Sequence, residues 1–278
     1  MVKVKVMVNG LPGNVCRMIG AHILKDDRLT LIPYSLTGPE IDIDQITIEG
    51  QTVALIGPDS RNARIMTIKD QYGDFISIDF THPSAVNRNA RFYGTFDLPF
   101  VMGTTGGDIQ HLQDTVLKSS ISAVIAPNMA KQIVGLQAML DYGAKNFPEL
   151  FQGYQLEVKE SHQQDKADTS GTAKAMVAYF NAMGTGFAED HIQIERDPAV
   201  QQTIWGIPEA YLDGHGWHTY KLTSPDGTAT FEIRHNINGR SIYTEGILEA
   251  VHFLQNKIKN GSRGKVFSMI DLIKASNT

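Results

Sequence analysis

The N-terminal segment constrains the fold most, because it reads as a strand, a tight turn and a helix in direct succession. Valine occupies every second position from Val2 to Val8, a pattern typical of a strand. The chain then breaks at residues 9–13, which contain two glycines and a proline, and a helical pattern begins near Val15. A unit of this kind opens a parallel α/β sheet, and its glycine turn suits the close approach of a phosphate.

Further strands and helices alternate along the first half of the chain. The β-rich stretches are residues 29–34, 75–80, 99–102 and 122–126, and helical patterns fill residues 84–93 and 109–118. Residues 43–68 hold shorter β-rich pieces, which we interpret as an excursion from the main sheet. The alternation predicts an α/β fold with a Rossmann-like parallel sheet in the N-terminal domain.

The pattern changes after residue 128. A long helix precedes a strand at 154–158, a second helix follows Ser170, and strands at 218–222 and 228–235 flank a Ser-Pro-Asp-Gly turn. We predict a mixed α+β domain over residues 128–240 that binds substrate and carries catalysis. The last helical stripe is expected to return to the first domain, so the dinucleotide-binding domain comprises residues 1–127 and 241–278.

Composition excludes several classes of function. The 278 residues carry a net charge of −5, which provides no basic surface for nucleic acid or an anionic membrane. No apolar run approaches the roughly 18 residues that span a bilayer. The single cysteine, Cys16, cannot form an internal disulfide and is a poor zinc site alone, so we expect no metal and a reducing compartment. The predicted location is cytoplasmic, or the stroma of an organelle after removal of a transit peptide.

Three strand ends carry the residues expected around a dinucleotide. Gly10 and Gly13 precede a helix whose first N–H groups favour a pyrophosphate. Turns at residues 79–83 and 103–107 follow later strands. Ligands of open α/β sheets bind outside the carboxyl ends of the strands, so these turns fit one extended nucleotide. The three-glycine fingerprint of dinucleotide-binding turns is imperfect here, because Cys16 stands where a third glycine would allow close helix packing.

The end of the second strand bears on the choice of nicotinamide cofactor. About 20 residues beyond the glycines, NAD-binding chains carry an acidic residue for the adenosine ribose. Residues 34–37 contain no carboxylate, the next acid is Glu40, and no arginine is present in this stretch either. NADPH and NADH both stay open, and NADPH is favoured.

Residues 160–173 combine the groups needed to bind and protonate an anion. His162 can deliver a proton near neutral pH, and Lys166 brings a positive charge. Ser170, Gly171 and Thr172 then open a helix with unpaired backbone N–H groups. Each has an ordinary structural interpretation, as a loop histidine, a solvated lysine or a helix cap. Their combination, with a glycine that lets a ligand approach the backbone, favours a binding site.

Three motifs resemble those of the dihydrodipicolinate reductases of lysine and diaminopimelate biosynthesis. They are PFVMGTTGGD at residues 99–108, ESHQQDKADTSGTA at residues 160–173 and HNINGRSIY at residues 235–243. The resemblance covers nearly the whole chain. It is closest to the plant-type branch, because Gln163 stands where many bacterial members have a second histidine.

The resemblance implies a reaction and a set of site residues. A hydride passes from NAD(P)H to a cyclic dicarboxylate, as in a 4-hydroxy-tetrahydrodipicolinate reductase, with His162 as the general acid and Lys166 beside a substrate carboxylate. Substrate contacts are expected from Gln163, Ser170, Gly171 and Thr172. Cofactor contacts are expected from Gly10, Gly13, Asn14, Val15, Ser35, Phe80, Thr81, Gly103, Thr105, Ala126, Asn128 and Arg240. A homo-oligomer, either a dimer or a tetramer, is expected as well.

Two other functions are compatible with the sequence. The chain could be a different two-domain NAD(P)-dependent reductase that acts on an amino acid or a sugar. It could also be a non-catalytic nucleotide-binding redox sensor, although the presence of both His162 and Lys166 favours an enzyme. A requirement for a dicarboxylate separates the first alternative from the predicted reaction.

Overall fold

The structure is a computed structural model that describes residues 3–104 and 106–275. Its backbone divides into two units. The first unit runs to Lys131 and resumes at Tyr243, and the second unit is Gln132–Ile242. The roles expected for the two parts, nucleotide binding and substrate binding, stay predictions.

The helices and strands have the following bounds, in chain order. The first unit begins with β1 (Val4–Asn9), α1 (Asn14–Lys25), β2 (Leu29–Leu31), β3 (Tyr34–Leu36), β4 (Gln45–Ile48), β5 (Gln51–Ile56), α2 (Arg61–Tyr72), β6 (Ile76–Asp79), α3 (Val86–Thr95), β7 (Phe100–Met102), α4 (Ile109–Leu117) and β8 (Ala123–Ile125). There follow α5 (Lys131–Asn146), β9 (Gln155–His162), α6 (Gly171–Ala182), β10 (Gln193–Glu195), α7 (Pro198–Thr203), β11 (His215–Thr223) and β12 (Thr230–Asn238). The chain ends with α8 (Ser241–Lys259), β13 (Val266–Phe267) and α9 (Met269–Ala275).

Six parallel strands form the main sheet of the first unit, in the order β13-β8-β7-β6-β1-β2. The central strands are apolar and covered, as expected for a parallel sheet, and Val6, Ile78 and Val101 have no exposed surface. Because β1, β6 and β7 are neighbours and parallel, their carboxyl ends meet at one edge of the sheet. The predicted Rossmann-like parallel sheet is confirmed.

The predicted strand at residues 29–34 is divided between two sheets. The N–H of Ile32 still bonds to the carbonyl oxygen of Val6 at 2.8 Å. Pro33 then has no N–H with which to continue the ladder. The chain therefore ends β2 before this proline and begins β3 after it, beside a different strand.

The β-rich residues 43–68 contribute to a separate three-stranded sheet with the order β3-β5-β4. Strand β3 is parallel to β5, and β4 is antiparallel to β5. A tight turn at Glu49 and Gly50, with φ angles of 48° and 83°, joins β4 to β5. The excursion predicted for this stretch is thus a small sheet followed by α2.

A mixed sheet with the order β10-β9-β11-β12 organises the second unit. Strand β10 is parallel to β9, and β11 is antiparallel to both β9 and β12. Val158, Tyr220 and Leu222 of the sheet share one apolar core with Val177 and Phe180 of α6. The predicted mixed α+β character is confirmed, and β9 continues beyond the predicted 154–158 to the histidine at position 162.

Helix α8 belongs to the first unit from Tyr243 onwards, as predicted for the last helices. Ile247 and Leu254 of this helix are buried. The carbonyl oxygen of Met129 occupies the space that a Cβ on Gly246 would need. No helix within the described ranges has the length and apolar character needed to cross a bilayer.

Candidate active site

The turn after β1 is shaped for close approach to the backbone. Gly10 has a φ of 110°, a conformation that other residues rarely adopt. A Cβ on Gly10 would lie 2.6 Å from the carbonyl oxygen of Phe80, so a larger residue does not fit without a shift. Gly13 immediately precedes α1, and the first two residues of that helix are Asn14 and Val15.

Cys16 fills the position of the third fingerprint glycine. Its thiol is buried and donates to the carbonyl oxygen of Asn9 at 3.3 Å. Burial, and then the nearby carboxylate of Asp79, raises the pKa of the Cys16 thiol. The thiol is therefore a neutral, packed group of the turn rather than a nucleophile.

The end of β3 is hydrogen-bonded to the glycine turn. The N–H of Gly10 donates to the carbonyl oxygen of Leu36 at 2.9 Å, and Oδ1 of Asn9 accepts the N–H of Leu36 at 2.9 Å. Ser35, a predicted cofactor contact, is completely buried, and its hydroxyl accepts the N–H of Leu11 at 3.3 Å. We therefore assign Ser35 to the support of the turn.

The buried carboxylate of Asp79 orders the turn after β6. It accepts hydrogen bonds from the hydroxyl of Tyr93 at 2.6 Å, from Nδ2 of Asn89 at 3.0 Å and from the N–H of Thr81 at 3.0 Å. Burial, followed by the charge of Asp79, raises the pKa of Tyr93, so the phenol stays a donor. This network fixes Phe80 and Thr81 at the edge of the sheet.

These turns line a pocket of about 910 Å³ in the first unit, a volume typical of small-molecule sites. Four predicted cofactor residues line it: Gly10, Gly13, Phe80 and Thr81. The structure adds lining residues that the sequence analysis did not select: Thr37, Gly38, Glu40, Arg61, His82, Ser84 and Arg88. A glycine cradle with no room for a Cβ, beside a helix N-terminus, fits the pyrophosphate of a dinucleotide.

Two arginines make one part of this pocket positive. Arg61 begins α2, where it donates to Oδ1 of Asn89 at 3.2 Å and lies 4.6 Å from the ring centroid of Phe92. Burial, and then the charge of Arg88 on α3, lowers the pKa of Arg61. Among residues 3–104 and 106–275, neither arginine has a carboxylate within ion-pair distance. Glu40 lines the same pocket and opposes their charge.

The remaining predicted cofactor residues lie at other places in the fold. Gly103 follows β7, and Ala126 and Asn128 follow β8. Arg240 lies in the second unit, between β12 and α8. Thr105 lies outside the described residues. The cofactor contacts of these residues stay predictions.

His162 is the last residue of β9, and the half-buried Gln163 follows it directly. The His162 side chain is 12% exposed, and its Nδ1 lies 3.5 Å from Oε1 of the fully buried Glu160, longer than an ordinary hydrogen bond. Its ring meets the ring of His218 edge-on at a centroid distance of 5.0 Å, and His218 stacks on His235 at 4.6 Å. Strand register causes this grouping, because His218 pairs with Glu160 on one side and with His235 on the other.

Burial and neighbouring groups set the charges of Glu160, His218 and His235, which form one cluster with His162. Burial, with the charge of His162, lowers the pKa of His235 to about 4. Burial, and then the charges of His235 and His162, lowers the pKa of His218 well below its ordinary value. Burial alone would raise the pKa of Glu160, but contacts with His162, Arg196 and a backbone N–H outweigh it and bring the pKa to about 2. At neutral pH, an ionised carboxylate and two uncharged imidazoles therefore surround His162.

Lys166 and the first turn of α6 provide positive charge and N–H donors in the same segment. Nζ of Lys166 lies 2.6 Å from the exposed carboxylate of Asp168, a surface pair that a substrate carboxylate can replace. Ser170 caps α6 by accepting the N–H of Thr172 at 3.2 Å. A Cβ on Gly171 would meet no atom within 4 Å, so the backbone at this helix start is open to a ligand.

Arg196, which the sequence analysis did not select, follows β10 directly and contacts this segment. Its guanidinium donates to Oε1 of Glu160 at 2.6 Å and to the carbonyl oxygen of Lys166 at 2.8 Å. Glu160 also accepts the N–H of Ser170 at 3.1 Å. Because β10 is the parallel neighbour of β9, the fold brings together groups that are distant in sequence. A strand of three residues carries too little pattern to have revealed this.

The ligand atoms of Glu160, His162 and His218 lie within 4.8 Å of one another, close enough to hold a metal ion. The guanidinium of Arg196 already lies 2.6 Å from Glu160, and a second cation there would be repelled. Nδ1 of His218 is also engaged with the hydroxyl of Tyr220 at 3.0 Å. Both observations disfavour a metal ion at this cluster.

Two protein-family models match the chain. The model described as "Dihydrodipicolinate reductase, N-terminus" matches residues 4–129, and the model described as "Dihydrodipicolinate reductase, C-terminus" matches residues 133–273. The chain belongs to the dihydrodipicolinate reductase family. The resemblance carried by the sequence motifs is therefore confirmed.

Curated members of the dihydrodipicolinate reductase family align with nearly the whole chain. The chloroplastic 4-hydroxy-tetrahydrodipicolinate reductase 2 of Arabidopsis thaliana is 41% identical over 277 residues, which cover 99% of this chain and 78% of the relative. The 4-hydroxy-tetrahydrodipicolinate reductase of Desulfitobacterium hafniense is 28% identical over 269 residues, which cover 90% of this chain and 93% of the relative. The higher identity to the plant enzyme confirms the similarity to the plant-type branch.

A solved structure of a dihydrodipicolinate reductase has the same fold. The dipicolinate-bound enzyme from Paenisporosarcina sp. TG-14 aligns with a TM-score of 0.66 at 17% sequence identity. The alignment covers 96% of this chain and 98% of that chain. The predicted fold class, a Rossmann-like sheet with a mixed α+β part, is confirmed.

Proposed function

We propose that the protein is a 4-hydroxy-tetrahydrodipicolinate reductase, which transfers a hydride from NAD(P)H to a cyclic dicarboxylate in lysine and diaminopimelate biosynthesis. One observation carries the proposal: residues 160–172 bring an imidazole, an ammonium group and an open helix N-terminus into one segment. The curated relatives with this name support the same reaction.

A planar ring with two carboxylates needs two anion sites. In this proposal Lys166 binds one carboxylate, and the first N–H groups of α6, with the hydroxyls of Ser170 and Thr172, bind the other. Gln163 supplies a neutral hydrogen-bond donor beside the catalytic histidine. The positive charge of Lys166 would also draw electron density toward the ring nitrogen, which favours addition of a hydride.

His162 is the proton donor in this proposal. Water is lost from the 4-hydroxylated ring, a bound nicotinamide would supply the hydride to the fourth ring carbon, and the negative charge left on the ring is neutralised by a proton. The carboxylate of Glu160 faces Nδ1 of His162, so Nε2 is the nitrogen left to donate. Gly216 lies beside this nitrogen, and even a Cβ there would lie 3.4 Å from Nε2. The absence of a side chain at Gly216 keeps this side of the ring free.

We further propose that the cofactor is NADPH or NADH, with NADPH favoured. The guanidinium groups of Arg61 and Arg88 suit the 2′-phosphate of NADPH, and Glu40 opposes them with a single carboxylate. Initial rates with each cofactor give kcat/KM for both. A higher kcat/KM for NADH would contradict the preference.

The reaction is tested by following nicotinamide absorbance while a dihydrodipicolinate synthase supplies fresh substrate. We expect NAD(P)H oxidation that depends on the synthase and its substrates. Absence of that oxidation would contradict the proposal, and a redox sensor would bind NADPH without turnover. Pyridine-2,6-dicarboxylate should inhibit the proposed enzyme, whereas a reductase of an amino acid or a sugar would not respond to it.

We also propose that the chain forms a homo-oligomer, either a dimer or a tetramer. The outer face of the sheet in the second unit supports this, because Ile194 and Ile204 are 45% and 77% exposed beside Trp205 and Trp217. Light scattering on the purified protein gives the mass. A monomeric mass at micromolar concentration would contradict the proposal.

We propose the cytoplasm or the stroma of an organelle as the location. The name of the Arabidopsis thaliana relative places that protein in the chloroplast, which supports the second possibility. Fractionation of the source cells, followed by detection of the chain with an antibody, tests the proposal. Recovery in the secreted or membrane fraction would contradict it.

A further inference from the structure

The loop between β9 and α6 carries Lys166, and its backbone makes few hydrogen bonds within the loop itself. The N–H of Lys166 bonds to the carbonyl oxygen of Gln163 at 3.1 Å within this loop. A shorter hydrogen bond comes from Arg196, directly after β10, whose Nε donates to the carbonyl oxygen of Lys166 at 2.8 Å. An Nη of Arg196 also approaches the carbonyl oxygen of Asp168 at 3.4 Å. One guanidinium thus holds the backbone of the residue expected to bind a carboxylate.

The same guanidinium also reaches the other anion site, through Glu160. Nη2 of Arg196 donates to Oε1 of Glu160 at 2.6 Å, and the Glu160 carboxylate accepts the N–H of Ser170 at 3.1 Å. Glu160 is fully buried, and the Arg196 side chain is 16% exposed. A buried pair of this kind has a defined geometry, because each partner would otherwise be left with an uncompensated charge. The pair therefore ties the end of β9, the loop and the start of α6 into one frame.

Arg196, which lies between β10 and α7, is itself held in place by its neighbours in the chain. Nη1 of Arg196 donates to the carbonyl oxygen of Glu195 at 2.8 Å. Oε1 of Glu195 accepts the N–H groups of Arg196 at 2.9 Å and Asp197 at 2.8 Å. Asp197 then caps α7 by accepting the N–H of Ala199 at 2.8 Å. Hydrogen bonds thus hold Arg196 at its backbone N–H as well as at its guanidinium.

We infer that Arg196 is a positioning residue that sets the spacing between Lys166 and the first turn of α6, so that the site selects a dicarboxylate over a monocarboxylate. The inference rests on the proposed function, which assigns one carboxylate to each of these places. Arg196 acts through its neighbours, and its own guanidinium is occupied by Glu160 and the loop carbonyls. A lysine at this position keeps the charge next to Glu160 but lacks the planar fork that holds several acceptors at once.

The test compares Arg196→Lys with the wild type, using pyridine-2,6-dicarboxylate and pyridine-2-carboxylate as inhibitors in the presence of NADPH. We expect Arg196→Lys to weaken inhibition by the dicarboxylate roughly 10-fold and inhibition by the monocarboxylate by less than about 2-fold. The KM for substrate should rise more than kcat falls, and the Kd of NADPH should not change. Loss of preference for the dicarboxylate is a result that general destabilisation would not produce.

Arg234→Lys is the matched control, because Arg234 forms an exposed ion pair with Glu232 at 2.8 Å on the same sheet. It should leave the preference for the dicarboxylate unchanged. Arg196→Gln provides a second variant, read out in the same way, should the lysine variant fail to fold. An Arg196 variant that folds and keeps the wild-type preference overturns the inference. A wild-type protein with no preference for the dicarboxylate overturns the proposed function instead.

Discussion

Three histidines share the cluster in the second unit, and their burial separates their roles. His218 and His235 are held neutral by burial, and their rings stack on each other. His162 keeps part of its side chain exposed and lies beside the ionised Glu160. A proton donor needs access to its substrate, so of the three histidines His162 is the one proposed as the donor.

We expect His162→Ala to lower kcat by roughly 100-fold or more, which is the usual contribution of a general acid. The Kd of NADPH should stay unchanged, because the pocket proposed for the nucleotide lies in the first unit. Steady-state kinetics and a fluorescence titration measure the two quantities. His191→Ala, at an exposed histidine of the same unit, is the control. Normal turnover by the His162 variant would remove this residue from the mechanism.

Gly171→Ala separates ligand binding from folding. The added Cβ meets no atom within 4 Å, and alanine suits a helix better than glycine, so the midpoint of thermal unfolding should not fall. The same methyl group would occupy space beside the N–H groups that bind a carboxylate. We expect the KM for the dicarboxylate substrate to rise roughly 10-fold, consistent with loss of charge-assisted hydrogen bonds.

Gly214→Ala is the matched control for this change, since a Cβ on Gly214 also meets no atom within 4 Å. It should alter neither the KM nor the unfolding midpoint. If Gly171→Ala retains the wild-type KM, the first turn of α6 does not bind the substrate.

The two arginines that line the candidate nucleotide pocket lie at the starts of helices. Arg61 is the first residue of α2, and Arg88 lies in the first turn of α3. We expect Arg88→Gln to raise the KM for NADPH roughly 10-fold, as for loss of one charge-assisted contact to a phosphate, and to change the KM for NADH by less than about 2-fold. Arg91→Gln, on the same helix, is the control. Equal effects of Arg88→Gln on both cofactors would show that Arg88 does not distinguish them.

The site residues that the sequence predicts lie mostly close together in the chain. Gly10 and Gly13 share one turn, and residues 160–173 form one segment, so their patterns were readable directly. Arg196 and Arg88 could not be selected in this way, because strand pairing and helix placement bring them to the sites. Ser35 was assigned to the ligand because nothing in a local pattern shows that a strand leaving the main sheet turns this hydroxyl inward.

The second unit builds its cluster from three strands, so the protonation of buried groups affects the stability of the folded state. The folded-state pKa of His235 is about 4, against an ordinary value of 6.5. Between these values the unfolded chain binds more protons, so stability falls as the pH falls through this window. Glu160, with a pKa of about 2 against 4.5, contributes stability above pH 4.5 that is lost as the pH falls toward 2.

We therefore expect acid to weaken the protein first through the buried histidines. His235 alone should account for a loss of about 2 kcal/mol in the free energy of unfolding between pH 7 and pH 5. Urea unfolding at the two pH values measures this loss. His235→Phe keeps a ring to stack on His218 but does not titrate, so its stability should depend less on pH. The control His191→Gln should show the same pH dependence of stability as the wild type. A wild-type pH dependence in His235→Phe would contradict the role of the His235 imidazole.

Because the chain changes sheets at Pro33, two walls of the candidate nucleotide pocket are supported by different sheets. The glycine turn rests on the six-stranded sheet, whereas the segment from Thr37 to Glu40 continues from the three-stranded sheet. Substitutions in β4, β5 or their connecting turn can shift the second wall without disturbing the central strands that carry the first. The preference between the two nicotinamides, which we expect to depend on the second wall, can therefore evolve separately from the contacts that we expect of the glycine turn.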